Sequence, residues 1–346
     1  MANKYVAYVG SYTRGRSKGL TIFDVDENFN FKERVVVEIN NPSYVRLSHN
    51  EKFLYTSCDE GVAAFRALDN GGLELLNKAS VNGLRPCYLS VDKANKFLVT
   101  AGYHDGKLTV LRLNKDGSVG EVTDEVFMTG LGTDAGRHYI CHVNCALFTP
   151  DEKYVLSIDI GLDQVKIYEF NHTTGKLKLH GILRCEIGDG PKHMIFSNDG
   201  KYAYMTMEDK NVVVQYAYDA VNGRFTEIQT LSTLPDKNTA YSNAVTLKLT
   251  PDDKYLYVTN TGNNSVAVYE IDEETKEMSR ICVLPISGEY PKDILLADDG
   301  HSFVCVNQMS DSLTMFDMNY EKGYFVMNKK SIKMYSPTSI KLKKVL

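Results

Sequence analysis

The sequence predicts an all-β protein, a seven-bladed β-propeller formed by a single domain of residues 1–346, and three observations support this prediction. One strand-forming unit recurs at intervals of 44 to 57 residues, close to the length of a four-stranded propeller blade. Apolar and polar residues alternate within the units, and helical periodicity is nearly absent. The two ends of the chain also complete one copy of the unit together.

The repeated unit consists of a short apolar strand, a polar turn, a lysine followed by an aromatic residue, and a second apolar strand. The turn carries Asn, Asp or Gly, which a tight hairpin requires. Third strands follow, for example at 108–113 and 266–271, and glycine-containing turns then lead to a fourth, edge strand. We therefore predict four antiparallel strands in each blade. The copies begin at Pro42, Pro86, Val143, Pro191, Ala244, Pro291 and Pro337.

The seventh copy ends with the chain, after its first strand. By register, the residues that should follow Leu346 are a lysine and an aromatic residue, and Lys4 and Tyr5 supply them from the other end. We expect the strand at 337–342 to be the inner strand of the blade whose outer strands lie within residues 4–38. Sharing one blade between both termini removes an open sheet edge that would otherwise promote aggregation.

Composition is that of a globular chain, with 43% hydrophobic and 24% charged residues. No apolar run approaches the roughly 18 residues of a membrane-spanning helix, so no membrane partner is expected. The first residues lack the features of a secretory signal, which favours a cytoplasmic location. A net charge of −5 without a strong basic block argues against nucleic acid as the main partner. The oligomeric state stays open.

The seven cysteines are odd in number and lie mostly in apolar strand patterns, as expected of small buried hydrophobes in a reducing compartment. His138, Cys141, His142 and Cys145 resemble zinc-ligand spacing. Successive residues of a strand point to opposite faces, however, so we expect no metal site there. The glycine-rich segment at 130–136 lacks the strand-to-helix context of a nucleotide loop. No cofactor is predicted.

Polar residues cluster by register at one end of the predicted channel. Inner strands begin there, and the loops after the second strands open there, where propeller ligands bind most often. Each residue also has a structural interpretation: a hydrogen-bonded channel histidine, a salt bridge between Lys192 and Glu208, or amides that satisfy backbone groups between blades. The candidates are His142, Asn144, Lys192, His193, Glu208, Lys292, Asn307 and Gln308.

Several segments together resemble one known family over essentially the whole chain. They lie at 8–13, 42–44, 72–77, 86–87, 190–193, 229–235 and 306–308. On these residues the chain resembles the lactonase-type seven-bladed β-propellers, typified by cycloisomerase-type 6-phosphogluconolactonase and 3-carboxy-cis,cis-muconate lactonizing enzyme. The resemblance implies a site at the channel mouth that carries histidine, arginine and glutamate.

Four residues match that family site. His142 matches the first histidine of a His-x-His strand, and Arg137 matches an arginine just upstream. Glu208 matches the glutamate of a Val-Asn-Glu strand end, and His193 matches the histidine of Gly-Pro-Arg-His. The resemblance therefore places these side chains at the mouth.

The chain also departs from the family at four positions. Asn144 replaces the second histidine of His-x-His, and Lys192 replaces the arginine of Gly-Pro-Arg-His. Thr261 and Lys292 stand where the family has arginines. Lysine keeps the positive charge but loses the planar two-pronged grip of arginine, and threonine loses the charge.

The resemblance implies a hydrolase of carbohydrate metabolism, in the pentose phosphate pathway, that opens the lactone of an anionic sugar acid. His142 or Glu208 would be the general base, and Lys192 with Arg137 would stabilise the oxyanion and anionic groups. Asn144, His193, Lys292, Asn307 and Gln308 would contact the substrate.

Two alternatives remain at this point. The departures at Asn144 and Thr261 suit a non-catalytic propeller that binds a small anion or a protein partner. A muconate-type cyclase is disfavoured, because the mouth has too few arginines for a tricarboxylate.

Overall fold

The computed structural model describes residues 5–132, 139–237 and 241–345, and these residues form β-strands and turns without an α-helix. The strands, numbered here in chain order, form seven sheets of four antiparallel strands, one of which carries a short additional strand. No helix of sufficient length and apolar character to cross a membrane occurs within these ranges. The sheets fall into two compact units, Met1–Gly188 with Ile340–Leu346, and Asp189–Ser339.

The first unit holds four sheets. The first sheet contains β1 (Tyr5–Ser11), β2 (Gly19–Val25), β3 (Phe31–Glu38) and the C-terminal β29 (Pro337–Lys344). The second contains β4 (Val45–Leu47), β5 (Phe53–Cys58), β6 (Gly61–Ala67) and β7 (Leu73–Ala79). The third contains β8 (Tyr88–Val91), β9 (Phe97–Gly102), β10 (Lys107–Leu113) and β11 (Val119–Phe127). The fourth contains β12 (Val143–Phe148), β13 (Tyr154–Asp159), β14 (Gln164–Phe170) and β15 (Leu177–Arg184).

The second unit holds the other three sheets. One contains β16 (Pro191–Phe196), β17 (Tyr202–Met207), β18 (Val212–Asp219) and β19 (Arg224–Ser232). The next contains β20 (Asn243–Leu249), β21 (Tyr255–Thr261), β22 (Ser265–Ile271) and β23 (Met278–Pro285). The last contains β24 (Pro291–Leu296), β25 (Ser302–Asn307), β26 (Ser312–Asn319) and β27 (Tyr324–Met327), with β28 (Ile332–Lys333) also paired to β26.

The first sheet confirms the predicted sharing of a blade between the chain ends. Its strand order is β29-β1-β2-β3, so the last strand of the chain is hydrogen-bonded to the first. Strands β1 and β2 pair antiparallel with Val9 opposite Thr21. Ile340 of β29 is fully buried, and Val345 packs against the apolar cluster of this sheet and its neighbour.

Burial along each sheet follows from the propeller pattern of the sequence. All six residues of β9 are buried, because a second strand has apolar neighbours on both faces. The outer strand β15 instead has only half-buried and exposed residues. The apolar side chains pack between neighbouring sheets: one such core joins Phe97 and Leu108 of the third sheet to Val143 of the fourth.

The turn between first and second strands is stabilised in the same way in four sheets. A Ser or Thr hydroxyl in this turn accepts a hydrogen bond from the backbone N–H five residues later and donates one to the Asn or Asp side chain two residues later. For Ser48, the first bond is 3.0 Å long, from Phe53 N, and the second is 2.7 Å long, to Asn50 Oδ1. The other hydroxyl–carboxylate pairs are Thr149 with Asp151, Ser197 with Asp199, and Thr250 with Asp252. The repeated sequence thus encodes one repeated turn.

The inner strands are irregular where they begin. The register of pairing shifts between Val143 and Cys145 in β12, and the same irregularity occurs at the start of β16, β20 and β24. Strict alternation of faces, expected for residues 141–145, therefore does not hold there, because a bulge places two residues of one strand opposite one of the other. Cys141 and His142 also precede β12 rather than belonging to it.

Candidate active site

His142 is fixed by its backbone in the first unit. Its N–H donates to Asp159 Oδ1 at 2.8 Å, and its carbonyl accepts the N–H of Ile160 at 3.1 Å. The residue is only 8% exposed. Two hydrogen bonds on the backbone therefore hold the point from which the ring projects.

The ring of His142 is held by Tyr103, the first residue after β9. The two rings stack with centroids 4.3 Å apart and an interplanar angle of 13°. His142 Nδ1 lies 2.8 Å from the carbonyl oxygen of Tyr103. A carbonyl oxygen only accepts hydrogen bonds, so the contact assigns a proton to Nδ1. A general base that acts through Nε2 would need this tautomer.

Asp159, at the end of β13, organises the loop beside His142. Its Oδ1 accepts the N–H groups of His142, Gly161 and Leu162 at 2.8, 3.0 and 3.1 Å. Burial raises the pKa of this carboxyl, and the three backbone bonds act in the opposite direction. A Cβ at Gly161 would lie 1.9 Å from the carbonyl oxygen of Ile140, so the loop's close approach requires glycine there.

Asn144, where the resemblance implies a second histidine, is buried in β12. The thiol of Cys87, on the neighbouring sheet, lies 3.4 Å from the backbone carbonyl of Asn144 and 3.9 Å from its Oδ1. These contacts fix the strand start against the preceding sheet. The third residue predicted for this unit, Arg137, lies outside the described residues.

Lys192 and Glu208 form a buried ion pair in the second unit. Lys192 is the second residue of β16, Glu208 follows β17, and Lys192 Nζ donates to Glu208 Oε2. Their side chains are 11% and 5% exposed. The sequence left a salt bridge and a functional carboxylate equally open for Glu208, and the structure shows the salt bridge.

The backbone of Glu208 is also held in place. Its N–H donates to the carbonyl of Gly190 at 2.6 Å, and its own carbonyl accepts the N–H of Ala244 at 3.2 Å. Asn243 Nδ2 donates to the same carbonyl at 3.3 Å. Because burying two charges is costly unless their geometry is good, such fixed positions are what a buried pair needs.

His193 follows Lys192 and lies in a cationic environment. Its backbone N–H donates to Thr206 Oγ1 at 3.2 Å. Burial lowers the pKa of the His193 ring to about 3, repulsion from Lys192, Lys248 and Lys292 acts in the same direction, and Asp293 opposes it. The ring is therefore neutral across the physiological pH range.

Lys248 is a member of this group that the sequence prediction missed. Its Nζ lies 3.5 Å from Asp293 Oδ1, and the side chain of Asp293 is 7% exposed. The available signal was its position between Leu247 and Leu249, which gives the alternation of a strand with one polar face. The predicted Lys292 places its Nζ 5.4 Å from the centre of the Tyr290 ring.

Asn307 is the last residue of β25 in the same unit, and Gln308 follows it. Asn307 is fully buried, and its Nδ2 donates to Thr314 Oγ1 at 2.9 Å and to Ser312 Oγ at 3.4 Å. Its partners are hydroxyls of β26 within its own sheet, rather than the backbone groups between blades that the sequence favoured. The N–H of Gln308 donates to the carbonyl of Tyr290 at 3.0 Å.

The structure thus gathers Lys192, His193, Glu208 and Lys292 in the second unit, by direct bonding or by charge interaction. In the first unit it gathers His142 with Tyr103 and Asp159. The role of Tyr103 could not be predicted from the sequence, because the group that contacts His142 Nδ1 is a backbone carbonyl, which every residue has.

Comparison with known proteins identifies the family. The family model described as "Lactonase, 7-bladed beta-propeller" matches residues 6–342. The chain belongs to this lactonase family. The match confirms the sequence-based resemblance and the prediction of seven four-stranded blades.

Relatives of this lactonase-family chain match it over nearly its whole length. It is 33% identical to the 6-phosphogluconolactonase of Bacillus subtilis, with 98% of each chain covered. A solved structure from Lactobacillus plantarum is 28% identical, with a TM-score of 0.91 and coverage of 98% and 99%. The periplasmic gluconolactonase of Pseudomonas aeruginosa is 24% identical with a TM-score of 0.92 and 99% coverage of both chains, which shows a shared fold.

Proposed function

We propose that this protein hydrolyses the lactone of an anionic sugar acid, with 6-phosphogluconolactone as the first candidate substrate. Family membership and the name of the Bacillus subtilis relative support the reaction class. The observation that carries the proposal is the contact of His142 Nδ1 with the Tyr103 carbonyl, because lactone opening needs a base and a ring that carries its proton at Nδ1 has Nε2 as its basic nitrogen.

In the proposed reaction, His142 Nε2 removes a proton from water as its oxygen bonds to the lactone carbonyl carbon. The carbonyl π electrons move to the oxygen and form an oxyanion. When the carbonyl re-forms, the bond to the ring oxygen breaks, and the proton held by His142 passes to that oxygen. The product is one open-chain hydroxy acid, whose carboxyl group loses its proton to solvent.

The ion pair in the second unit favours His142 over Glu208 as this base. A carboxylate that accepts a hydrogen bond from an ammonium group is stabilised in its charged form and is a weaker base. Lys192 Nζ has three N–H donors and gives one to Glu208. We assign the others to an anionic ligand group, with Glu208 orienting the ammonium.

Hydrolysis can be tested by following acid release from 6-phosphogluconolactone and from unphosphorylated gluconolactone, at a pH where spontaneous opening is slow. We expect kcat to fall by about 10²–10⁴ in His142→Gln. His180→Ala, which changes an exposed histidine paired with Glu169, is the matched control. No acceleration over buffer, or full activity in His142→Ala combined with Glu208→Ala, would refute the proposal.

A non-catalytic anion-binding protein is the second candidate, and the pairing of charges favours it. Lys192 is neutralised by Glu208 and Lys248 by Asp293, while the hydroxyl of the buried Thr261 donates to the carbonyl of Asn243 at 3.4 Å. This candidate predicts thermal stabilisation by 6-phosphogluconate without lactone turnover. Turnover that depends on His142 would exclude it.

A further inference from the structure

The first unit contains three ligand-type side chains that the proposed hydrolysis does not use. Asp92, Glu152 and His172 each offer one ligand atom, and these atoms lie within 4.8 Å of one another. Asp92 and Glu152 belong to the first-to-second strand turns of two successive sheets, and His172 follows β14. The turn of Glu152 follows β12, whereas His142 precedes it. The two ends of this strand lie about 20 Å apart.

Asp92 departs from the turn that four other sheets repeat. Ser48, Thr149, Ser197 and Thr250 supply a hydroxyl at this position, each with an Asn or Asp two residues on. The third sheet has a carboxylate instead, and Ala94 two residues on.

The carboxylate leaves one buried oxygen without a hydrogen bond. Asp92 Oδ1 accepts the N–H groups of Lys96 at 2.6 Å and Phe97 at 2.7 Å, which replaces the role of the hydroxyl. Oδ2 is buried and has no hydrogen-bond partner within the described ranges. A buried carboxylate oxygen of this kind is costly unless a cation or donor satisfies it. This buried oxygen points to a cation independently of the clustering of the three side chains.

Glu152 and His172 present compatible donors. Glu152 Oε1 accepts the N–H of Lys93 at 2.5 Å, and this bond orients the carboxylate. His172 Nε2 lies 2.9 Å from the backbone carbonyl of Glu152, so Nε2 carries the proton and Nδ1 the lone pair. Edge-to-face contact with Phe170, at 4.9 Å between centroids, fixes the ring.

We propose that Asp92, Glu152 and His172 bind a divalent transition-metal cation that links two neighbouring turns of the first unit. Two carboxylates balance the charge of the cation, and imidazole favours later transition metals such as Zn²⁺ or Co²⁺ over Mg²⁺ and Ca²⁺. With metal–ligand bonds of about 2.1 Å, tetrahedral ligands lie about 3.4 Å apart, so ligand atoms that now lie within 4.8 Å of one another would close by at most about 1.4 Å on binding. Water completes the coordination, and the site stabilises the fold without entering the reaction.

The test uses the full chain stripped of metal with EDTA and then titrated with CoCl₂, ZnCl₂ and MgCl₂. We expect one equivalent of Co²⁺ to bind with visible d–d bands and without a thiolate charge-transfer band, since the ligands contain no cysteine. At 100 times Kd the Tm should rise by about 3–6 °C with Co²⁺ or Zn²⁺ and by less with MgCl₂.

Asp92→Ser is the decisive variant, because it installs the hydroxyl that four other turns already use and should fold normally. We expect it and His172→Ala to lose the Co²⁺ bands and the Tm rise, whereas His180→Ala keeps both. Binding that survives Asp92→Ser and His172→Ala, a spectrum dominated by thiolate, or no binding would overturn the proposal. Lactone turnover is measured separately and does not enter this result.

Discussion

At the scale of single residues, chemistry in this protein depends on hydrogen bonds to the backbone. His142 obtains its tautomer from a main-chain carbonyl and its position from the Asp159 carboxylate. Lys192 and Glu208 satisfy each other in a site where either charge alone would be unfavourable. The residue types match a hydrolase, but their protonation and pairing follow from these contacts.

The stacked ring of Tyr103 should matter for catalysis through His142. Tyr103→Ala keeps the carbonyl but removes the 4.3 Å ring stacking, so the imidazole can rotate away from its productive direction. We expect kcat for lactone opening to fall by about tenfold with KM little changed. Tyr103→Phe, which preserves the stacking face, should retain activity; an equal loss in both variants would argue against a positioning role.

The neutral ring of His193 should make the protein sensitive to acid. Its pKa in the folded state is about 3, below that of an unfolded histidine, so the unfolded chain binds more protons between these values. Stability therefore falls as the pH is lowered through about 6.5 towards 3. His193→Gln should show a smaller loss of unfolding free energy between pH 7 and pH 5 in urea titrations. The same loss of unfolding free energy in His193→Gln as in the parent protein would contradict the lowered pKa.

At the scale of structural elements, loops are joined to strands by buried polar groups. Lys107, the first residue of β10, is 2% exposed, and its Nζ donates to the carbonyl oxygens of Val81 and Asn82 at 2.5 and 3.1 Å and to Glu125 at 2.8 Å. It thereby connects the loop before β8 to β10 and β11. Apolar periodicity gave no indication of this role.

Removing the Lys107 ammonium should destabilise the fold. In Lys107→Met, two carbonyl groups and the Glu125 carboxylate lose their donor, and we expect the free energy of unfolding to fall by roughly 3 kcal/mol. Lys78→Met is the matched control, because its ion pair with Glu60 is partly exposed and is worth at most about 1 kcal/mol. Urea unfolding of both variants would measure the difference. Equal effects would show that burial of the pair is unimportant.

At the scale of the whole molecule, closure depends on pairing of the two chain ends. Strand β29 covers the edge of β1, and Ile340 is fully buried there, while Lys344 is exposed. An uncovered edge would expose unpaired N–H and C=O groups to other chains. The last strand is therefore expected to control both stability and aggregation.

Ile340→Asp tests this closure. A carboxylate in the apolar cluster should prevent β29 from docking, which lowers the Tm markedly and produces aggregates in size-exclusion chromatography. Lys344→Asp, on the same strand but exposed, should behave like the parent protein. A soluble, stable Ile340→Asp variant would show that the fold does not need the C-terminal strand.

By itself, the sequence determined the number of blades, the closure by the chain ends and the family, because these follow from a repeat whose period, turn residues and strand alternation are all local. Only the tertiary structure decided which side chains act together. The Tyr103 carbonyl beside His142, Lys248 beside Asp293, and the buried Asp92 Oδ2, which has no hydrogen-bond partner among the described residues, depend on bulges, loop paths and packing between sheets. Such features join residues far apart in the chain, and a local pattern carries no information about which of them will meet.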